Sequence, residues 1–376
     1  MICILSIISI HKYIPSLFPI SQTYGAFHYI HEMRRISQKH EQNISRFRIY
    51  TPVSEAMPQK LPGTVIVVIG ESATRDRMKA FTPSYPSETT PWLSEMKETP
   101  YFYLMDKTYS CFPVTVPALS MFLYGRNQYD HRNIDDVANI IDVAHLSGYK
   151  TWWMSNQGKM SGEDSPIDFV AQNCDREQRT PFPLGDDYQL LDFVKQLPKN
   201  ENNFVIIHLM GSHIRYSDRT PPDFKGIDNP QHDKRTNQYD TTLLYTDHLL
   251  RDIYTYAKDH LNLQVMMYCS DHGENMERSH VASKNMTYDM VRIPFFIYLS
   301  PAYTQLYPDT AQALRQNEHK VFTNDLMYDT ISGILHLPNT DYEPNFDLSS
   351  SAYDLKPADA RTKYGEWTIL DDPDYR

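Results

Sequence analysis

The sequence predicts a doubly wound α/β fold: a mostly parallel sheet with helices on both faces. Three apolar runs, Thr64-Val65-Ile66-Val67-Val68-Ile69-Gly70, Asn203 through Met210 and Val265-Met266-Met267-Tyr268-Cys269, have the length and near-continuous hydrophobicity of strands covered on both sides. The stretches between them carry helical spacing, so strand and helix alternate, and no internal repeat appears. The runs also end alike. The first leads into Glu71-Ser72, the second into Gly211-Ser212-His213 and the third into Ser270-Asp271-His272-Gly273-Glu274. In an open α/β sheet the carboxyl ends of the strands face the crevice where ligands bind.

Glu71, His213, Asp271 and His272 therefore converge from three strand ends. Two carboxylates and two imidazoles form a metal-site inventory, and that donor set suits Zn or Mn better than thiolate-seeking metals. The competing reading is three unrelated turns whose acids cap helices.

Composition narrows the function classes. With 41% hydrophobic and 12% aromatic residues in 376, the chain can bury a large core. It carries 36 Lys and Arg against 47 Asp and Glu, a net charge of -11, which disfavours nucleic-acid binding because phosphate affinity needs clustered cations. Four cysteines, Cys3, Cys111, Cys174 and Cys269, match no zinc-finger spacing and are too few for a disulfide scaffold. Cys269 reads as a packed thiol in a core strand. Cys111 and Cys174 sit in loop-like sequence, which predicts a bridge between them in an oxidising compartment.

Taken in order, residues 1–20 are apolar but broken by His11, Lys12 and Pro15, short of the roughly 20 uninterrupted residues of a spanning helix. Residues 21–60 turn aromatic and then basic, with Arg34, Arg35, Lys39, Arg46 and Arg48, and read as a helical connector whose charge would suit anionic lipid headgroups. After the first strand, Thr89-Thr90-Pro91 predicts a helix with a threonine N-cap and Pro at its first position. Tyr101 to Lys107 reads as a short strand. Thr115 precedes Val116-Pro117 and an apolar helical run, which places it at a helix N-terminus, where free N–H groups favour an anion. A hydroxyl there can attack a phosphate held against those donors, although a plain N-cap is the common use of such a threonine. Asp135 to Ser147 predicts a helix stopped by Gly148, Lys150 to Ser155 a strand ending in Asn156-Gln157, and Asp186 to Leu197 a further helix. Asn237 to His260 predicts the longest helix, with Asp247 and His248 on its solvated side. His280 falls in a polar loop, and Ile293 to Leu299 forms another apolar strand.

Several of these pieces together resemble a known family. Val67-Val68-Ile69-Gly70-Glu71-Ser72 followed by Arg75, Ser110-Cys111 with Thr115, Leu209-Met210-Gly211-Ser212-His213, Tyr239-Asp240 with Tyr245-Thr246-Asp247, and Ser270-Asp271-His272-Gly273-Glu274 are similar to the phosphoethanolamine transferases of Gram-negative bacteria, in the sulfatase and alkaline-phosphatase superfamily. The resemblance runs from about Thr64 to Leu299. It implies that Glu71, Thr115, Asp271 and His272 hold one tightly bound zinc ion, with Thr115 as nucleophile. His213 and His280 would contact the phosphoryl group or a second metal. It implies phosphatidylethanolamine as donor, lipid A, lipopolysaccharide core or a glycan as acceptor, contact with a membrane surface, and an inner-membrane protein whose catalytic domain lies in the periplasm. The chain then divides into an apolar segment at 1–20 that can be read as the remnant of a membrane helix, the connector at 21–60, the catalytic domain at 61–340 and a C-terminal extension at 341–376 that either packs on the domain or trails from it. The family's multi-helix membrane domain is not seen upstream, as in a truncated reading frame or a shortened homologue.

Two other enzyme readings compete. Cys111-Phe112-Pro113 begins like the Cys-x-Pro-x-Arg signature of sulfatases, but position 115 is Thr where that signature has Arg. A phosphodiesterase or phosphatase would differ only in using water in the second step. A binding domain that kept the fold without activity is the non-enzymatic alternative.

Overall fold

The computed structural model describes residues 30–45, 62–130, 132–158, 165–181, 186–277, 286–337 and 339–375. The apolar segment at 1–20, the rest of the connector and His280 lie outside the described residues. A seven-stranded sheet forms the centre. Its strands are β1 (Thr64–Gly70), β2 (Phe102–Leu104), β4 (Lys150–Ser155), β5 (Arg176–Arg179), β6 (Asn203–His208), β7 (Leu263–Ser270) and β8 (Phe295–Leu299), in the order β2-β8-β7-β1-β6-β4-β5. β7, β1, β6, β4 and β5 are mutually parallel, and β8 runs antiparallel to both β7 and β2. Two short pairs complete the strands: β3 (Thr108–Tyr109) with β9 (Phe322–Thr323), and β10 (Arg361–Thr362) with β11 (Trp367–Thr368).

Side chains alternate across the sheet, so each central strand feeds two cores. From β1, Val65, Val67 and Ile69 enter one core and Ile66 and Val68 the other. The first core is closed by helices Thr115–Phe122, Ile140–Leu146, Pro308–Asn317 and Met327–Ile334; the second by Pro91–Met96, Gln189–Val194 and the long Lys234–His260. Residues 30–45 are helical and lie against the first side, where Ile36 is buried and His40 Nε2 sits 2.9 Å from Asp142. Among the described residues no helix is long and apolar enough to cross a membrane.

Several boundaries differ from the sequence reading, for local reasons. The helix expected from Asp135 begins at Ile140, because Asn139 and Asp142 form a reciprocal capping box there. The helix expected at Asp186–Leu197 is confined to Gln189–Val194. Pro91 does open a helix, but Thr90 does not cap it; its hydroxyl accepts from the Ala80 amide. The cap comes from Asp247, whose carboxylate accepts from the amides of Trp92 at 2.8 Å and Leu93 at 3.1 Å. Asp247 is therefore buried rather than solvated, and His248 is half-buried against Phe224. The expected bridge is also absent: Cys111 and Cys174 are both free thiols. Cys111 is buried beside Ala118 and Met121, and Cys174 packs against the first core.

Candidate active site at the carboxyl ends of the central strands

β1 pairs with β6 and β7 in parallel register, Ile69 opposite both His208 and Cys269, and Gly70 opposite Ser270. The three strands thus end level, and the residues that follow them meet. Glu71, Asp271 and His272 are each buried, and one ligand atom from each lies within 4.8 Å of the others. His272 Nε2 is 3.4 Å from Glu71 Oε1 and 3.6 Å from Asp271 Oδ2. Its Nδ1 donates to the Gly273 carbonyl at 2.7 Å when the proton sits there, which turns Nε2 toward the two carboxylates.

Thr115 completes the group from the first turn of helix Thr115–Phe122. Its hydroxyl donates to Glu71 Oε2 at 3.0 Å and lies 3.5 Å from His272 Nε2. Cys111, four residues earlier, points elsewhere, with Sγ toward the Ala118 carbonyl. Burial pushes that thiol well above its ordinary pKa. The side chain of this loop that meets the acids is the threonine.

The electrostatics follow from packing these charges together. Burial would raise Glu71, but the neighbouring His272 prevails and holds it well below the usual carboxylate range. Asp271 is pushed up to about 7 by burial and by the adjacent Glu71 charge. His272 is raised to about 10: burial opposes its charge, and Asp271 and Glu71 outweigh that. Asp271 Oδ1 accepts from the amides of Ser72 and His272, whereas the buried Oδ2 has no hydrogen-bond partner among the described residues. Two carboxylates, one of them with an unsatisfied oxygen, and an inward imidazole nitrogen fit a divalent cation such as zinc.

The surroundings hold these groups in place. Ser72 Oγ donates to Glu71 Oε1 at 2.6 Å, and Gln157 reaches Glu71 Oε2 at 3.3 Å from the end of β4. Gly211 has φ +49, and a Cβ there would stand 2.9 Å from the Glu71 carbonyl oxygen, so the β6 end approaches Glu71 as only glycine permits. Asp187 fastens this turn by accepting from the amides of Met210 and Gly211. His213 follows, half-buried, and its charge is felt at Glu71. Tyr239 donates to the Ser72 carbonyl and accepts from the Thr74 amide. Asn324 joins the two halves, with Nδ2 on the Asp271 carbonyl and Oδ1 on the Cys111 amide, both at 2.8 Å.

Of the six residues expected at the site, the structure gathers Glu71, Thr115, Asp271 and His272, sets His213 at its edge and does not describe His280. Asp187 and Asn324 were missed. Asp187 precedes a short helix with no strand end to mark it, and Asn324 follows a strand of two residues. Arg75 and Asp240, prominent in the motif pattern, serve packing: Arg75 lies over the Tyr109 ring and donates to the Thr108 carbonyl, and Asp240 accepts from Tyr85 and pairs with Arg77.

Comparison with known proteins agrees with this geometry. Residues 63–337 match the sulfatase family. Phosphoethanolamine transferase EptC of Escherichia coli O18:K1:H7 is 27% identical over 271 residues, covering 66% of this chain and 47% of the relative. Phosphoethanolamine transferase EptA of Helicobacter pylori is 25% identical over 334 residues, covering 81% and 61%. The chain therefore spans less than two thirds of either. The solved C-terminal periplasmic domain of EcEptC from Escherichia coli, a complex with Zn, superposes with a TM-score of 0.70 at 24% identity, covering 83% of this chain and 95% of that one. The soluble domain of lipooligosaccharide phosphoethanolamine transferase A from Neisseria meningitidis gives 0.62 at 21%, covering 80% and 97%. The family match takes in Glu71, Thr115, His213, Asp271 and His272 on one continuous domain, and this chain belongs to the sulfatase family, where it is similar to the phosphoethanolamine transferases.

Proposed function

We propose that this protein transfers phosphoethanolamine from phosphatidylethanolamine to a cell-envelope acceptor, lipid A, lipopolysaccharide core or a glycan, through an adduct on Thr115, at the periplasmic face of the inner membrane. The observation that carries the reading is the placement of the Thr115 hydroxyl at a helix start, 3.0 Å from Glu71 and 3.5 Å from His272. Glu71, Asp271 and His272, with Thr115, would hold one zinc ion; a second metal would draw on His213 and His280. Zinc bound there supplies Lewis acidity, favouring the deprotonated form of a neighbouring hydroxyl and offsetting charge on a phosphoryl oxygen.

The chain's own groups supply the rest. Glu71, held ionised, accepts a hydrogen bond from the Thr115 hydroxyl in the resting geometry and so orients that hydroxyl. Attack by that oxygen on the donor phosphorus releases the hydroxyl proton to water, forms the threonine–phosphorus bond and breaks the bond to diacylglycerol, whose oxygen takes a proton from a histidine such as His213 or His280. An acceptor hydroxyl or phosphate then displaces Thr115, and the threonine oxygen and the histidine regain their protons from the acceptor and from water, returning the site to its starting state. Backbone N–H groups at the helix start and the histidines offset charge on the equatorial oxygens.

The test is an adduct. Incubation with a phosphatidylethanolamine analogue should leave phosphoethanolamine on the peptide containing Thr115 and release diacylglycerol before any acceptor is added. Thr115→Ala should abolish the adduct and lower turnover by on the order of 10³-fold or more, with Thr115→Ser partly active. The purified protein should carry zinc, and Asp271→Ala should lower its content. Full turnover by Thr115→Ala would remove the covalent step, and a modified Cys111 would return the reading to a sulfatase.

A further inference from the structure

Helix Thr115–Phe122 begins after Val114 with no side chain capping it, so its own N-terminus does little to fix the direction of Thr115. On the inner side Asn324 holds the Cys111 amide. On the outer side the loop is held by the β10–β11 hairpin, beyond the 63–337 stretch that matches the family. Thr362 Oγ1 donates to the Ser110 carbonyl at 2.7 Å, the Tyr364 amide to the Cys111 carbonyl at 3.2 Å, and the Tyr364 hydroxyl to the Pro117 carbonyl at 3.1 Å. The Tyr364 ring lies against Phe112, centroids 4.6 Å apart and planes 32° off parallel. Residues on both flanks of Thr115 are thus gripped by one tyrosine.

The turn that presents this tyrosine is strained. Lys363 and Tyr364 have φ +54 and +53, two successive non-glycine residues in the left-handed region, ahead of Gly365 at φ +88. Tyr364 is 45% exposed, so core burial does not account for its being held there. The contacts it makes do.

We infer that Tyr364, supported by Thr362, is a positioning residue that sets Thr115 Oγ1 against Glu71 and His272. The inference rests on the reading of Thr115 as nucleophile. A displacement of about 1 Å at a reacting atom can cost 10²-fold in rate, so a clamp on the nucleophile's loop acts on the chemical step rather than on substrate affinity.

The experiment measures adduct formation on Thr115 in the full chain loaded with zinc, using the phosphatidylethanolamine analogue, together with amide exchange over residues 112–117. Tyr364→Ala should slow adduct formation by about 10- to 100-fold while the half-saturating analogue concentration, the zinc content and Tm stay close to wild type. Exchange over 112–117 should accelerate. Tyr364→Phe, which keeps the ring on Phe112 and loses only the hydroxyl bond to Pro117, should fall between the alanine variant and wild type. Wild-type adduct rates in Tyr364→Ala, or a loss accounted for by a lowered Tm, would overturn the inference. Thr115→Ala, run in parallel, separates the two failures. If it is inert while Tyr364→Ala is unimpaired, only the positioning role fails; an adduct formed by Thr115→Ala would remove both.

Discussion

His208 is the last residue of β6, buried edge-on to Trp153, with Nε2 lacking a hydrogen-bond partner among the described residues. Burial depresses it to about 4, against the partial pull of the Glu71 charge. The folded pKa lies below the ordinary 6.5, so between those values the unfolded chain binds the proton that the native chain refuses. Stability is therefore intact above about pH 6.5 and falls as pH drops toward 4, by on the order of 3 kcal/mol in all. Thermal unfolding at pH 7 and pH 5 should show a smaller acid loss for His208→Met than for the wild type; equal losses would place the acid sensitivity elsewhere. The sequence marked His208 only as part of an apolar run. A residue-level role was legible where chemistry and position coincided, as in Asp271-His272 at a strand end, and hidden where it depended on a neighbour distant in sequence, as with Asn324 on Cys111.

At the scale of elements, the caps were harder to read than the runs. Thr90-Pro91 has the local signature of an N-cap, yet the orphan amides of that helix are met by Asp247, roughly one and a half hundred positions on in sequence, from the middle of helix Lys234–His260. Burial raises Asp247 to about 7 even with two amides donating to it, so desolvation of its charge outweighs what those bonds return to the ionised form. Asp247→Ala should still destabilise by about 1–2 kcal/mol, as loss of a cap does, lowering Tm by about 1–2 °C per kcal/mol in a chain of this size. Adduct formation should be unchanged, since Asp247 lies outside the site; a large loss of activity at wild-type Tm would contradict that separation. Central strands were legible because two-sided burial makes them apolar throughout. β5, Arg-Glu-Gln-Arg at the sheet edge, carries no such pattern, and an apolar run has no direction, so the antiparallel course of β8 waited on the structure.

At the scale of the molecule, residues 339–375 return to the first core and to the site side. Arg292, just before β8, donates Nε to Asp372 at 2.8 Å and Nη1 to Asp76 at 2.6 Å, and pairs with Asp374. Tyr109 also donates to Asp372, which is buried. Arg292→Met should leave the Asp372 charge uncompensated and destabilise by about 3–5 kcal/mol, and adding Asp372→Asn should restore part of it, read as denaturation midpoints. Equal midpoints for the single and double variants would mean that the charge is not what matters. This closure was invisible in the sequence, which has no periodicity over these residues and left them either packed or trailing.

The level ending of β1, β6 and β7 has a further meaning. Backbone hydrogen bonding allows strands to shift only by whole residues, about 3.3 Å each, and a single step turns every side chain to the opposite face. The site tolerates displacements several times smaller. The sheet thus behaves as a ruler whose smallest division exceeds the allowable error: a shift of β1 by one residue against β6 and β7 would leave no partially aligned site, only one in which Glu71 is absent from the group.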